Sequence, residues 1–329
     1  MVQTKKIKDA IPLALKTVNI PSLGQKHQGK VRDSYITEGR RIIITTDRLS
    51  AFDRVLGVFP FKGQALNQLS QFWFEKTADV IPNHMISVPD PNVMVVKNCT
   101  LIPIEMVVRG YITGVTNTSI WGSYEKGERM IYGIKFPDGL KKNQKLKTPV
   151  ITPTTKAESG HDERLTEKDI LNGIVKLKDG SKVSPVLWEK MKKAALDVFE
   201  RGTKVCGKAG IILVDTKYEF GLDDKGKLTL IDEVHTPDSS RYWVKKSYME
   251  RFKKGQEPEN FDKEFLRIWY AKRGYKGDGK IPQMPDDFKA QVSKRYITIF
   301  EKITGKKFKA LEYPIEKRIK ENLTKTIVF

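Results

Sequence analysis

Residues Gly210–Trp243, GIILVDTKYEFGLDDKGKLTLIDEVHTPDSSRYW, constrain the fold more than any other stretch of this chain. Two apolar, β-branched runs, Ile211–Val214 and Leu228–Ile231, flank a turn supplied by Gly221 and Asp223–Gly226. That is the pattern of a β-hairpin. Side chains alternate along a strand, so Ile212, Val214, Thr216, Tyr218 and Phe220 are expected on one face. Asp215, Lys217 and Glu219 then share the other. An acid, a base and an acid in a row are costly to bury without partners. The second strand ends in Asp232-Glu233, which face opposite ways if the strand continues, and a Pro-Asp-Ser-Ser turn leads to Arg241. Two readings fit these residues. The charged row is the solvated face of a half-exposed hairpin. Or its carboxylates are hard ligands for Mg²⁺, an ion that usually travels with nucleotide phosphates.

Such a hairpin needs a core to rest on, and 329 residues at 39% hydrophobic content suffice for one large domain or two lobes. Nothing in the chain reaches the roughly 18 uninterrupted apolar residues of a membrane-spanning helix. The N-terminus, MVQTKKIKDAIPLAL, lacks a small-residue cleavage site, so no signal peptide is expected. Cys99 and Cys206 make neither a disulfide framework nor a zinc spacing, and the expected setting is the reducing cytoplasm. The net charge of +20 favours anionic partners. The excess is spread along the chain; Lys141–Lys147 and Lys302–Lys309 are dense but short, and no nucleic-acid-binding signature accompanies them. Phosphorylated small molecules are therefore expected as ligands, rather than nucleic acid or a membrane.

The first hundred residues read as β-rich. Gly29–Tyr35 precedes the β-branched run Arg41–Thr46, and a Gly-Lys pair at such a place either lets backbone approach a phosphate or makes a plain turn. Asp47–Asp53, DRLSAFD, packs acids, a base and a serine into an expected turn. Ala65–Val80 has the broad apolar face of a helix, and Cys99–Val108 reads as a buried strand. Ile151–Glu163 is expected to be a loop, with Thr166 and Asp169 capping the helix after it. Val186–Lys204 is an amphipathic helix leading into the hairpin, and helices are expected at Asp262–Lys272, Pro285–Thr304 and Pro314–Asn322.

GKVRDSY, TDRLSAFD, KGQALNQLSQFWF, IPIEMVVRGYITG, TPTTKAESGHDE, LVDTKYEFG, IDEVHTPDSSRYW and FDKEFLRIWY occur in that order. From about Leu23 to about Phe308 they closely resemble the SAICAR synthetase family, in its longer form with extra C-terminal helices. The resemblance implies ATP-dependent joining of L-aspartate to the carboxylate of CAIR, an aminoimidazole carboxylate ribonucleotide, giving SAICAR, ADP and phosphate in purine biosynthesis. A carboxylate is a poor acyl donor, and phosphorylating it makes a mixed anhydride that an amine can attack. That chemistry asks for cations around phosphates and carboxylates that hold Mg²⁺.

The resemblance also implies roles. Lys30 and Arg32 match phosphate contacts to ATP, and Glu219 and Asp232 match carboxylates of the Mg²⁺–ATP site, with Asp232 selected over Glu233. His84 lies near where the family touches adenine. Arg109 and Arg241 match ribonucleotide-binding arginines, whose planar fork suits a phosphate. Lys217 matches a contact to the substrate carboxylate, Asp162 an acid close to the reacting groups, and Lys156 a further catalytic cation. Asp47, Ser50 and Asp53 are expected to line the same cleft. The chain departs from the family at Val115, where a serine is usual, so that a hydroxyl contact to the ribonucleotide is either missing or supplied by Thr116. It departs again at Phe261, usually tyrosine, while Asp262, Lys263 and Arg267 stay in place.

The expected architecture is α/β (α+β) with two lobes. A β-rich lobe over residues 1–108 covers ATP, and residues 109–329 form a larger α/β lobe with the metal and ribonucleotide sites and the added helices. A monomer is expected, the added helices covering a surface that shorter relatives use for association. A kinase of a phosphorylated metabolite would need the same Mg²⁺–ATP parts; it would release ADP without L-aspartate.

Overall fold

A computed structural model describes residues 2–52, 54–114, 118–156, 162–261 and 263–326. The N-terminal part opens with a short helix α1 (Thr4–Asp9) and strands β1 (Lys26–Gln28), β2 (Arg32–Thr37) and β3 (Arg40–Thr45). DRLSAFD, expected as a turn, contains strand β4 (Arg48–Ala51), which pairs with β5 (Arg54–Val58). Helix α2 (Lys62–Lys76) follows, then β6 (Met85–Asp90) and β7 (Val93–Lys97). Five of these strands form an antiparallel sheet in the order β1-β2-β3-β7-β6.

The long strand β8 (Thr100–Ile112) is continuous across positions 108 and 109. After it come α3 (Ile120–Glu125), a small hairpin of β9 (Met130–Ile131) and β10 (Ile134–Lys135), β11 (Gln144–Ile151) and β12 (Thr154–Thr155). Helices α4 (Glu167–Asn172) and α5 (Pro185–Lys208) lead to β13 (Ile211–Leu222), β14 (Leu228–Ile231) and β15 (Ser240–Val244). The expected capping box is present: Thr166 accepts from the Asp169 amide and Asp169 accepts from the Thr166 amide. The chain continues through α6 (Lys245–Lys253), α7 (Glu264–Ala271), α8 (Asp286–Thr304) and α9 (Ile315–Thr326). In the second sheet β8 and β13 lie side by side, flanked by β11 and β12 beyond β8 and by β14 and β15 beyond β13.

The main core joins both halves of the chain. Trp73 and Phe74 of α2, Ile102, Ile104, Met106 and Val108 of β8, Met191 and Val198 of α5, and Ile297 of α8 belong to one buried cluster. Burial of each such side chain contributes about 1.5–3 kcal/mol. Gly63 lets α2 begin tightly against the end of β3, since a Cβ there would sit 2.4 Å from the Thr45 carbonyl oxygen. A second cluster packs Ile315, Ile319 and Leu323 of α9 against Tyr35, Ile42 and Val95 of the N-terminal sheet, so the end of the chain covers its beginning.

The hairpin is present, but one face differs from expectation. Leu213 pairs with Tyr242, whereas Asp215 pairs with Arg241, leaving Val214 as an extra residue on β13. This bulge reverses the alternation. Ile211 and Leu213 join Tyr218 and Phe220 in the main core. Ile212 and Val214, expected on that face, pack instead with Tyr111, Trp243 and Tyr248 on the other. Asp215, Lys217 and Glu219 still share a face, because the extra residue precedes them.

Candidate active site

Cross-strand partners in a sheet point to the same side, so the register of β8 against β13 builds the site directly. Glu105 lies opposite Glu219, Val107 opposite Lys217, and Arg109 opposite Asp215. On the far side of β13, Asp215 lies opposite Arg241. One face of the sheet thus carries carboxylates at one end and guanidinium groups at the other. Glu219 and Asp215 are four residues apart, about 13 Å along a strand. The alternate residues of β8, from Ile102 to Val108, are wholly buried on the core side and fix this face in place.

At the acidic end, Lys217 bridges two carboxylates, bonding Glu105 and lying 3.5 Å from Glu219. Lys156 also bonds Glu219. Arg32, from the start of β2, bonds Asp232 at 2.6 Å and Glu233 as well. Three cations therefore meet four carboxylates, drawn from β2, β8, β13 and the segments after β12 and β14. Burial pushes the Glu105 carboxyl up to about 7; Lys217 pulls against this, while Glu219 and Asp162 add to it. Burial alone would lower the Lys217 ammonium, but Glu219 and Glu105 outweigh it and hold the group above its ordinary range. Burial likewise opposes ionisation of Asp232, and Arg32, Lys156 and Lys217 overcome it, so the carboxyl is held low.

Asp232 and Glu233 do not face opposite ways. Strand β14 ends at Ile231, and Asp232 has a left-handed backbone, φ 66°. Alternation stops there, and both carboxylates turn to the same guanidinium. Among the described residues no three His, Cys, Asp or Glu side chains converge as a ready metal cage. Two carboxylates suffice for Mg²⁺ when nucleotide phosphates and water complete its shell, and Glu219 and Asp232 fit that donor set.

At the basic end, Asp215 Oδ2 is 2.6 Å from Arg241 and 3.6 Å from Arg109. Arg109 also donates to Thr152 Oγ1 at 2.7 Å and to the Thr118 carbonyl at 3.0 Å. Two guanidinium groups thus share one carboxylate. Arg241 opens into a cleft also lined by Thr113, Gly114, Lys142 and Trp243.

The remaining expected residues are more scattered. Lys30 is exposed on the turn between β1 and β2; buried Arg48 clamps that turn through the carbonyls of Gly29 and Lys30. Asp162 lies close enough to Glu105 for its charge to count. His84 is buried against Phe74 with its Nε2 unpartnered, and its amide donates to the Leu230 carbonyl, one strand-end away from Asp232. Burial pushes the His84 imidazole down to about 3, so it is neutral. Asp47 is wholly buried, its carboxylate taken by the amides of Leu15 and Gly63 and the hydroxyl of Tyr313. Ser50 is buried on β4. Asp53, Thr116 and Val115 lie outside the described residues.

Sequence reasoning missed Glu105, which sits in an otherwise apolar run and acquires meaning only through its register with Glu219. It also missed Glu233 as a partner of Arg32, and Asp238, which Lys62, Lys263 and Tyr296 surround. The signal available was an acid inside a β-branched strand, which is rarely buried without a partner.

The family model for SAICAR synthetase matches residues 25–284. A phosphoribosylaminoimidazole-succinocarboxamide synthase from Legionella pneumophila (strain Paris) is 48% identical over 318 residues, covering 95% of this chain and 98% of the relative. The chloroplastic synthase of that name from Arabidopsis thaliana is 45% identical over 329 residues, 98% of this chain and 78% of the relative. Among solved structures, SAICAR-synthase from Saccharomyces cerevisiae complexed with SAICAR superposes with a TM-score of 0.77 at 30% identity, over 90% of this chain and 99% of that one. A SAICAR synthetase in complex with ADP gives a TM-score of 0.64 at 26% identity, over 87% and 100%.

Proposed function

The chain belongs to the SAICAR synthetase family, and from that premise we propose how its own residues carry the reaction. It is a carbon–nitrogen ligase of purine biosynthesis that joins L-aspartate to CAIR with ATP, giving SAICAR, ADP and phosphate. The reaction runs through an acyl phosphate. A carboxylate oxygen of CAIR attacks the γ-phosphorus of ATP, and ADP leaves. The amine of L-aspartate then attacks the acyl carbon, loses a proton, and phosphate departs with the former carboxylate oxygen. Both steps are governed by positioning and charge more than by a strong nucleophile.

The single observation that carries this assignment is the charged ladder on β8 and β13. The CAIR phosphate binds Arg241 and Arg109, whose forks suit it. Its carboxylate then reaches Lys217, some two residues along the strand, beside Glu219. ATP lies against Lys30 and Arg32, under the N-terminal lobe of residues 1–108 and near His84. Glu219 and Asp232 would hold Mg²⁺ together with the ATP phosphates, and the ion would supply neutralisation of phosphate charge. Lys156 adds a cation near the transferred phosphoryl group. Asp162 takes the proton from the attacking amine. Thr116 offers the hydroxyl that Val115 lacks, while Asp47, Ser50 and Asp53 support the nucleotide side of the cleft. The enzyme works as a cytoplasmic monomer; α9 covers the edge strand β6, which would otherwise invite strand pairing.

Incubation with ATP, Mg²⁺, CAIR and L-aspartate should yield SAICAR and ADP in equal amounts, and omission of any one substrate should stop both. ADP release without L-aspartate, with a stable phosphorylated product, would point to a kinase and sink this reading.

A further inference from the structure

Three successive carbonyls of the turn between β1 and β2 are bonded by two residues that the proposed reaction does not use. Arg48, which opens β4, donates through Nη2 to the Gly29 carbonyl at 3.0 Å and through Nε to the Lys30 carbonyl at 3.2 Å. Thr46 donates to the Val31 carbonyl from its amide at 3.1 Å and from its hydroxyl at 2.8 Å. In a trans peptide the C=O and the following N–H point in opposite directions. The amides of Lys30 and Val31 are therefore turned away from the Arg48 guanidinium. Carbonyl oxygens drawn to one side leave the other side to N–H groups, an arrangement that suits an anion. Lys30 is exposed on that turn.

Arg48 is itself held fast. Its side chain is only 6% exposed, and the wholly buried Asp33 of β2 accepts from Nη2 at 2.7 Å. Asp33 also accepts from the Thr17 hydroxyl at 2.6 Å and the Val18 amide at 2.9 Å, and the Lys26 ammonium lies 3.0 Å from it. The third Arg48 nitrogen, Nη1, donates to the Lys16 carbonyl. A buried guanidinium needs a carboxylate partner, and one with all three nitrogens engaged is fixed in orientation. The turn is thus shaped from inside the protein, by β4 and by the segment before β1. Its next residue, Arg32, points its own guanidinium at Asp232 and Glu233, so the turn enters the site at the acidic end.

We propose that Arg48 is a positioning residue for the nucleotide: it holds the Gly29–Val31 turn so that Lys30 and the turn amides meet the ATP phosphates. This inference rests on the ligase reading above and adds to it a residue that touches no substrate. Arg48→Lys keeps a positive charge beside Asp33 and loses the fan of donors. ADP, titrated calorimetrically, should bind about ten-fold more weakly, the scale of two lost hydrogen bonds, and the KM for ATP should rise with it. The inhibition constant of adenosine, which has no phosphate, should hold, as should the KM values for CAIR and L-aspartate. Thr46→Val keeps the shape and removes only the hydroxyl bond to Val31, so ADP should bind about three-fold more weakly, again with adenosine unaffected. Unchanged ADP affinity in Arg48→Lys, or an equal loss for ADP and adenosine, would overturn the proposal. Should Arg48→Lys fail to fold, the same split between ADP and adenosine in Thr46→Val supports the proposal, and its absence overturns it. SAICAR formation by the unaltered chain separates the two claims: no product defeats the ligase reading, whereas normal ligation with an ADP affinity indifferent to Arg48→Lys defeats this role alone.

Discussion

Asp232 is the residue on which the acidic end of the site turns. Its left-handed backbone brings it and Glu233 to one guanidinium, and it faces Lys156 and Lys217 electrostatically. Asp232→Asn keeps the shape and removes the charge, so turnover should vanish while the melting curve stays cooperative; near-normal activity at ordinary Mg²⁺ would remove Asp232 from the site. At the other end, Arg241→Lys keeps a charge and loses the fork. CAIR binding should weaken by about 1.5–3 kcal/mol with ATP binding little changed, measured by titration calorimetry. His235, three residues beyond Asp232, tests the fold by pH. It is wholly buried, and a Cβ on Gly202 would come within 2.5 Å of its ring. Burial pushes its imidazole down to about 3, against 6.5 in the unfolded chain. Above pH 6.5 both states are neutral. As pH falls below that value, the unfolded chain takes up a proton that the native state refuses. Stability is therefore lost with falling pH, by up to roughly 4–5 kcal/mol if the whole interval is crossed. Denaturant titrations from neutral pH to about pH 4 should give a shallower loss for His235→Gln than for the parent.

Among the elements, β13 explains both what the sequence disclosed and what it hid. Its length, its partner β14 and the shared face of Asp215, Lys217 and Glu219 follow from alternation alone. The facing of Ile212 and Val214 did not, because a one-residue bulge leaves no mark in a β-branched run. Glu105 stayed hidden for another reason: a strand's pattern reports which face a side chain takes, and not which neighbour lies across from it. Helix α2 and the C-terminal helices were legible from their apolar faces, with ends displaced by a few residues. The docking of α9 onto the N-terminal sheet was not, since contacts between chain ends have no local signature. Arg318 of α9 bonds the fully buried Asp90 through Nε at 2.8 Å and Nη2 at 3.1 Å. Arg318→Met would strand that carboxylate with only the Asn322 amide and the Asn92 backbone N–H beside it. Global stability should fall by about 3 kcal/mol, the lower part of the range for a broken buried pair. Equal denaturation midpoints for variant and parent would mean that α9 does not hold the sheet.

At the scale of the whole molecule, the two sheets meet where Leu230 exchanges backbone hydrogen bonds with Pro82 and His84, next to Asp232 and Arg32. The proposed nucleotide site at that seam touches both halves of the chain, and the charged ladder leads from it to the proposed ribonucleotide end. In the proposed route the CAIR carboxyl is activated beside Lys217 before an amine displaces phosphate. Oxygen tracing tests that most directly. With CAIR labelled with ¹⁸O in its carboxylate, one labelled oxygen should appear in the phosphate released as SAICAR forms. Phosphate free of label, with SAICAR retaining every labelled oxygen it can carry, would contradict activation of the carboxyl group.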